Sequence, residues 1–263
     1  MSMPAFATIQ LEVQPPLARV TLNRPEKLNA LNRALLAEVR QAFEHLRAVS
    51  GLRCIVLTGA GAKAFAAGAD IEEIGSLDAV AAHAFSQAGN DLFRRIETFP
   101  IPVLCAINGF ALGGGLELAM ACALRYASEN AKLGQPEVKL GLIPGYGGTQ
   151  RLARAVGAGP ALEMILGGEP IPAVEALRIG LVNRVLPQAE LLPAIEDLGR
   201  KIAANAPLAV QYALHAVRQG EEMGVEQGLA LEASLFALSC ATADMKEGTR
   251  AFLEKRAAKF EGR

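Results

Sequence analysis

Apolar and polar residues alternate through FATIQLEV (6–13) and LARVTL (17–22), on either side of Pro15-Pro16, and this period of two predicts a β-hairpin. After Arg24-Pro25 the period changes. Leu31, Leu35, Val39, Phe43 and Leu46 recur at helical spacing behind Asn29 or Asn32 as cap. RCIVLTG (53–59) then reads as a short buried strand. A second round follows: a glycine-rich connection, a helix through Phe85, Leu92, Phe93 and Ile96, and a buried strand from Val103 to Ile107. A third helix is expected from about Gly115 to Leu124. This alternation predicts an α/β core whose strand-end loops carry function. Beyond Gly180 only LVNRVL (181–186) reads as strand. Helices are expected over 190–205, 207–219, 225–238 and 242–260, so we divide the chain into an α/β core, 1–190, and a helical region, 191–263.

Composition narrows the class. With 51% apolar and 20% charged residues among 263, the chain folds as a globular protein. A formal net charge of −1 supplies no global attraction to nucleic acid or anionic membranes. Cys54, Cys105, Cys122 and Cys240 form no Cys-x-x-Cys pair, and three lie in apolar runs, as structural thiols in a reducing compartment would. The N-terminus lacks a basic start, and the long uncharged stretch that includes Pro100 to Leu116 is broken by prolines and glycines. A soluble, cytoplasmic protein is the expectation. Of 26 glycines, 14 fall between Gly59 and Gly148.

Three segments carry candidate chemistry. Gly59-Ala60-Gly61-Ala62-Lys63-Ala64 fits a relaxed dinucleotide-binding pattern but does not open directly into a helix, which argues against a Rossmann site. In Asn108 to Glu117, Gly113-Gly114-Gly115 precede a helix whose first amides suit an anion or a developing oxyanion. No Lys-Ser or Lys-Thr follows them, which excludes a P-loop. Glu117 sits there among apolar neighbours, an unusual place for a carboxylate without a task. Glu137, in LGQPE (133–137), reads by itself as a solvated loop residue. No nucleophile triad, HExxH motif or Cys/His cluster is present, so no metal site is expected.

Taken together, RPEKLNAL (24–31), KAFAAGADIEE (63–73), INGFALGGGLELAMACALRYA (107–127), LGQPEVKLGLIPGYGGTQRL (133–152) and EALRIGLVNRV (175–185) resemble the enoyl-CoA hydratase family, the crotonase superfamily. The resemblance implies a β-β-α superhelix with a helical C-terminal region that assembles trimers or hexamers. It implies a trans-2-enoyl-coenzyme A thioester as substrate, hydrated to the 3-hydroxyacyl-CoA in acyl-CoA degradation. Coenzyme A is then part of the substrate, and no separate cofactor is implied.

By the same resemblance, the backbone N–H groups of Ala69 and Gly114 form an oxyanion hole. Glu137 delivers a proton to Cα, and Glu117 holds and activates water. Ala67, Ala69, Asp70, Ile71, Glu72 and Gly114 meet the substrate, with Lys27 near the phosphates and Phe252 and Lys255 reaching a neighbouring subunit's coenzyme A. Tyr146 stands in PGYGG where some members carry a small residue, which alters the acyl pocket. Rival readings are an isomerase of the same fold working with one carboxylate, a non-catalytic ligand- or RNA-binding member, and a dinucleotide oxidoreductase.

Overall fold

The computed structural model describes residues 5–263. Its first half contains β1 (Ile9–Gln14), β2 (Leu17–Leu22), α1 (Arg33–Arg47), β3 (Cys54–Gly59), β4 (Ala64–Ala67), α2 (Ile71–Ile74), α3 (Ala79–Glu97), β5 (Val103–Ile107), β6 (Phe110–Leu112), α4 (Gly114–Ala121), β7 (Leu124–Ser128) and β8 (Lys132–Gly134). There follow α5 (Gly148–Val156), α6 (Ala158–Gly167), β9 (Ile171–Pro172), α7 (Ala173–Arg178), β10 (Arg184–Leu186), α8 (Gln188–Ala203), α9 (Pro207–Gly220), α10 (Val225–Cys240) and α11 (Ala243–Leu253).

From β3 to β8 the strands come in consecutive pairs, and each of these pairs divides between two sheets. β3, β5 and β7 enter a six-stranded sheet ordered β1-β2-β3-β5-β7-β10, while β4, β6 and β8 enter a four-stranded sheet ordered β4-β6-β8-β9. Only the edge pairs β1–β2 and β8–β9 are antiparallel. This is the β-β-α superhelix that the resemblance implies. Both faces of the larger sheet are covered. Ile55, Leu57, Val103, Cys105 and Ile107 face the main core, whereas Cys54, Val56, Leu104 and Ala106 pack with Leu191 and Ile195 of α8. A strand buried on both faces reads as a continuous apolar run, which is why β3 and β5 are visible in the sequence.

Several expectations are corrected. The glycine-rich connection after Gly59 contains β4, and 110–112, expected as loop, is β6; both are too short and too rich in Ala to show a period. The third helix stops at Ala121, and Leu124 opens β7. Leu31 precedes α1, whose cap is Asn32, its side chain accepting from Leu35 N at 2.9 Å. The last helix ends at Leu253, with Lys255 at φ 54° beyond it. The division at residue 190 falls inside α8. α9 and α10 bury no side chain fully, and Leu229, Phe236 and Phe252 are 54%, 70% and 82% exposed.

The corner between the two sheets is tied by Asn108. Its amide donates to Gly59 O (2.9 Å) and Gly61 O (2.7 Å) and accepts from Gly59 N (3.1 Å), nearly out of solvent. Asn108→Ala is expected to cost on the order of 3 kcal/mol, because it strands buried backbone groups; the denaturant midpoint of the variant measures it.

Candidate active site

The site begins where β6 hands over to α4. Gly113 takes φ 49° and ψ −125°, a left-handed turn that favours glycine, and a Cβ there would lie 2.6 Å from Glu137 Oε1. Gly115 lies so close to β4 that a Cβ would come 2.0 Å from Ala66 O. α4 is thereby pressed onto the smaller sheet, and its fourth residue, Glu117, is 1% exposed. Its Oε1 accepts from Tyr146 N at 2.8 Å and Gly148 N at 2.6 Å. Burial pushes the carboxyl up to about 7; the charge of Glu137 adds to the rise, and the two N–H groups oppose it.

Glu137 is half-buried at the start of a 3₁₀ turn, Glu137–Leu140, and burial raises its pKa too. Gln135, fully buried, pairs with it: with its amide nitrogen facing the carboxylate it donates to Glu137 Oε1 and Oε2 at 3.0 and 3.1 Å. Both glutamates line one cavity of about 390 Å³, together with Ala69, Gly114, Tyr146 and a mostly apolar wall that includes Ile74, Leu77 and Phe85. The bland reading of Glu137 as a solvated loop residue is therefore corrected.

Two backbone N–H groups stand unclaimed on this cavity. Leu31 bridges to Ala69 through Gly68 O and Asp70 N, leaving Ala69 N–H without an acceptor among the described residues. Gly114 opens α4, so its N–H has no intrahelical partner and carries the positive end of the helix dipole. Such a pair suits an oxygen that gains charge during a reaction.

The loop that serves Glu117 is clamped from α3 and α5. Gly145 O accepts from Ser86 Oγ at 2.5 Å and from Asn90 Nδ2 at 3.1 Å. Arg151, bound through Nε and Nη2 to both oxygens of Glu97, donates from Nη1 to Tyr146 O at 2.9 Å. The Tyr146 ring fills a notch at Gly89, where a Cβ would lie 2.2 Å from it, and packs against Phe85 and Phe93 at centroid distances of 5.3 and 5.4 Å. Its hydroxyl is buried without a hydrogen-bond partner among the described residues.

With this geometry in hand, the comparisons with known proteins are specific. A sequence model of the enoyl-CoA hydratase/isomerase family matches residues 12–263. The chain belongs to that family. It is 46% identical over 252 residues to a short-chain-enoyl-CoA hydratase of Clostridium acetobutylicum, covering 96% of each chain. It is 45% identical to a crotonyl-CoA hydratase of Syntrophomonas wolfei, over 97% of this chain and 98% of the relative. A crystal structure of an enoyl-CoA hydratase from Bacillus anthracis superposes with a TM-score of 0.94 at 38% identity, covering 98% of this chain and all of the other. The fold is the crotonase fold.

Of the residues expected to meet a thioester in this family, Glu117, Glu137, Ala67, Ala69, Ile71 and Gly114 line the cavity. Asp70, Glu72, Lys27, Phe252 and Lys255 do not. Asp70 instead pairs with Arg24 at 3.3 Å, and Glu72 and Lys27 are exposed beside the site. Phe252 and Lys255 stand exposed at the far end of the chain, outside the cavity of their own subunit. Sequence reasoning missed Ser86, Asn90, Gly89, Gln135 and the N–H groups of Tyr146 and Gly148. The residues between Pro144 and Gly148 offered a signal only as a second glycine cluster.

A carboxyl whose native pKa is raised keeps its proton where the unfolded chain has released it, so stability falls with pH between the ordinary carboxyl value and about 7. Glu117→Gln removes the Glu117 share of that slope: its thermal midpoint at pH 7 is expected to match or exceed the wild type's, measured by calorimetry from pH 5 to 8. Tyr146→Phe deletes an unpaired buried hydroxyl and is expected to hold or raise the same midpoint.

Proposed function

We propose that this protein is an enoyl-CoA hydratase that adds water reversibly, with syn geometry, across a trans-2-enoyl-CoA thioester. The observation that carries the reading is two carboxylates, Glu117 and Glu137, facing one cavity beside the free N–H groups of Ala69 and Gly114. As water adds at Cβ, charge moves onto the thioester oxygen. Two fixed N–H groups stabilise that enolate, and removing one such donor typically costs about 10²–10³ in rate.

The two glutamates divide the proton work. Glu117 is fixed through Oε1 by two backbone donors, which leaves Oε2 for water; we assign it to hold and activate the nucleophile. Glu137 lies over Gly113, next to the Gly114 amide, a placement that suits protonation of Cα. A shared site with raised pKa values favours one neutral and one ionised carboxyl near pH 7, titrating as a pair. An isomerase needs one such group. The second carboxylate in the same cavity favours the hydratase.

Coenzyme A enters as part of the substrate, with its pantetheine and adenine end along the backbone of 67–72 and its phosphates near Lys27; no separate cofactor is needed by this chemistry. The exposed apolar side chains of α9 to α11 support assembly into a trimer or a dimer of trimers, in which Phe252 and Lys255 approach a neighbour's ligand. A cytoplasmic setting fits the unpaired thiols, three of them buried.

Purified protein is expected to bleach the enoyl-thioester absorbance of crotonyl-CoA and to yield 3-hydroxybutyryl-CoA; no loss of absorbance at micromolar enzyme contradicts the reading. Glu117→Gln and Glu137→Gln are each expected to lower kcat by about 10²–10⁴-fold while the circular dichroism spectrum stays native. Near-wild-type turnover in either removes the two-carboxylate scheme.

A further inference from the structure

Across Phe85 from the catalytic cavity lies a second hollow. It measures about 490 Å³, between α1 and α3, with Leu36, Leu92, Ala81, Ala84 and Ala88 as apolar lining and Arg33 and Arg40 at its edge. Among the described residues Phe85 alone lines both spaces. Its ring is held from two sides. Tyr146, seated in the Gly89 notch, packs on it at 5.3 Å between centroids, and the Arg33 guanidinium stands 5.9 Å from the ring centre, within cation–π range.

We propose that Phe85 is the partition that sets acyl-chain length, confining the site to short acyl groups by closing it off from the α1–α3 hollow. The reading rests on the acyl-CoA substrate argued above. A four-carbon enoyl group carries one methyl beyond Cβ and has no use for the second hollow. Longer chains meet the ring, whose displacement separates it from Tyr146 and Arg33 together. The hollow beyond the ring is open to solvent along Ala84 and Ala88 but mostly apolar, so a chain admitted to it covers further methylenes, each worth up to about fourfold in affinity.

The test is binding of saturated butanoyl-, octanoyl- and dodecanoyl-CoA, measured by calorimetry, which reads the partition without turnover. Phe85→Ala is expected to raise the affinity ratio of dodecanoyl- to butanoyl-CoA at least tenfold over wild type, with Phe85→Leu in between. Ala88→Leu in the Phe85→Ala background refills the hollow one helical turn from Phe85 and is expected to reverse the gain. An unchanged ratio in folded Phe85→Ala overturns the proposal; the chain would then leave over Leu142 and Ile143 at the exposed rim. A gain that survives Ala88→Leu also overturns it. A wild-type enzyme that binds these thioesters but hydrates no enoyl-CoA refutes the hydratase reading and leaves the partition standing on its own result.

Discussion

One buried carboxylate governs the rest of this structure. Glu117 is withdrawn from water, and an ionised carboxylate in that position is costly unless donors replace the lost hydration. The donors are two successive-but-one backbone N–H groups, from Tyr146 and Gly148, and they reach Oε1 only if the loop from Pro144 to Gly148 holds its shape. Much of the surrounding sequence answers that demand. Ser86 and Asn90 fix Gly145, the Arg151–Glu97 pair fixes the carbonyl of Tyr146, and the Tyr146 ring is seated in a notch that only glycine at 89 leaves open. A Cβ at Gly148 would lie 2.9 Å from Glu117 Oε1 itself.

The same logic explains why backbone carries so much of the proposed chemistry. A thioester oxygen can be approached by N–H groups only where no side chain intervenes and where the amide is not already spent in a ladder or helix. The Leu31–Ala69 bridge spends the neighbours of Ala69 N–H and spares it; the start of α4 spares Gly114 N–H. Glycine concentrated between Gly59 and Gly148 is the compositional shadow of this arrangement. Gly113 permits the turn and makes room for Glu137, and Gly115 lets α4 settle on β4.

Legibility in the sequence followed from burial and periodicity. β3 and β5 are continuous apolar runs because both their faces are covered, and α1 shows a clean stripe because one face is. β4, β6 and β8, with sequences AFAA, FAL and KLG, are too short to display a period, so the smaller sheet was invisible to patterning. Glu117 was conspicuous as a carboxylate among apolar neighbours. Glu137 was not, since it stands in a short loop and the Gly113 turn against which it lies is remote in sequence. Ala69 leaves no trace at all, because its contribution is an amide that every residue but proline possesses. It was reached only through the resemblance of five ordered blocks.

The central claim is that the cavity holds one neutral and one ionised carboxyl near neutral pH. Infrared difference spectroscopy across a pH titration measures it directly, through the carbonyl stretch of a protonated carboxylic acid. The account predicts a protonated-acid band that persists well above the ordinary carboxyl range, fades around pH 7 and is altered by Glu117→Gln and by Glu137→Gln alike, because the two carboxyls titrate as a pair. A spectrum in which that band has vanished by pH 5, or in which neither substitution changes it, would contradict it.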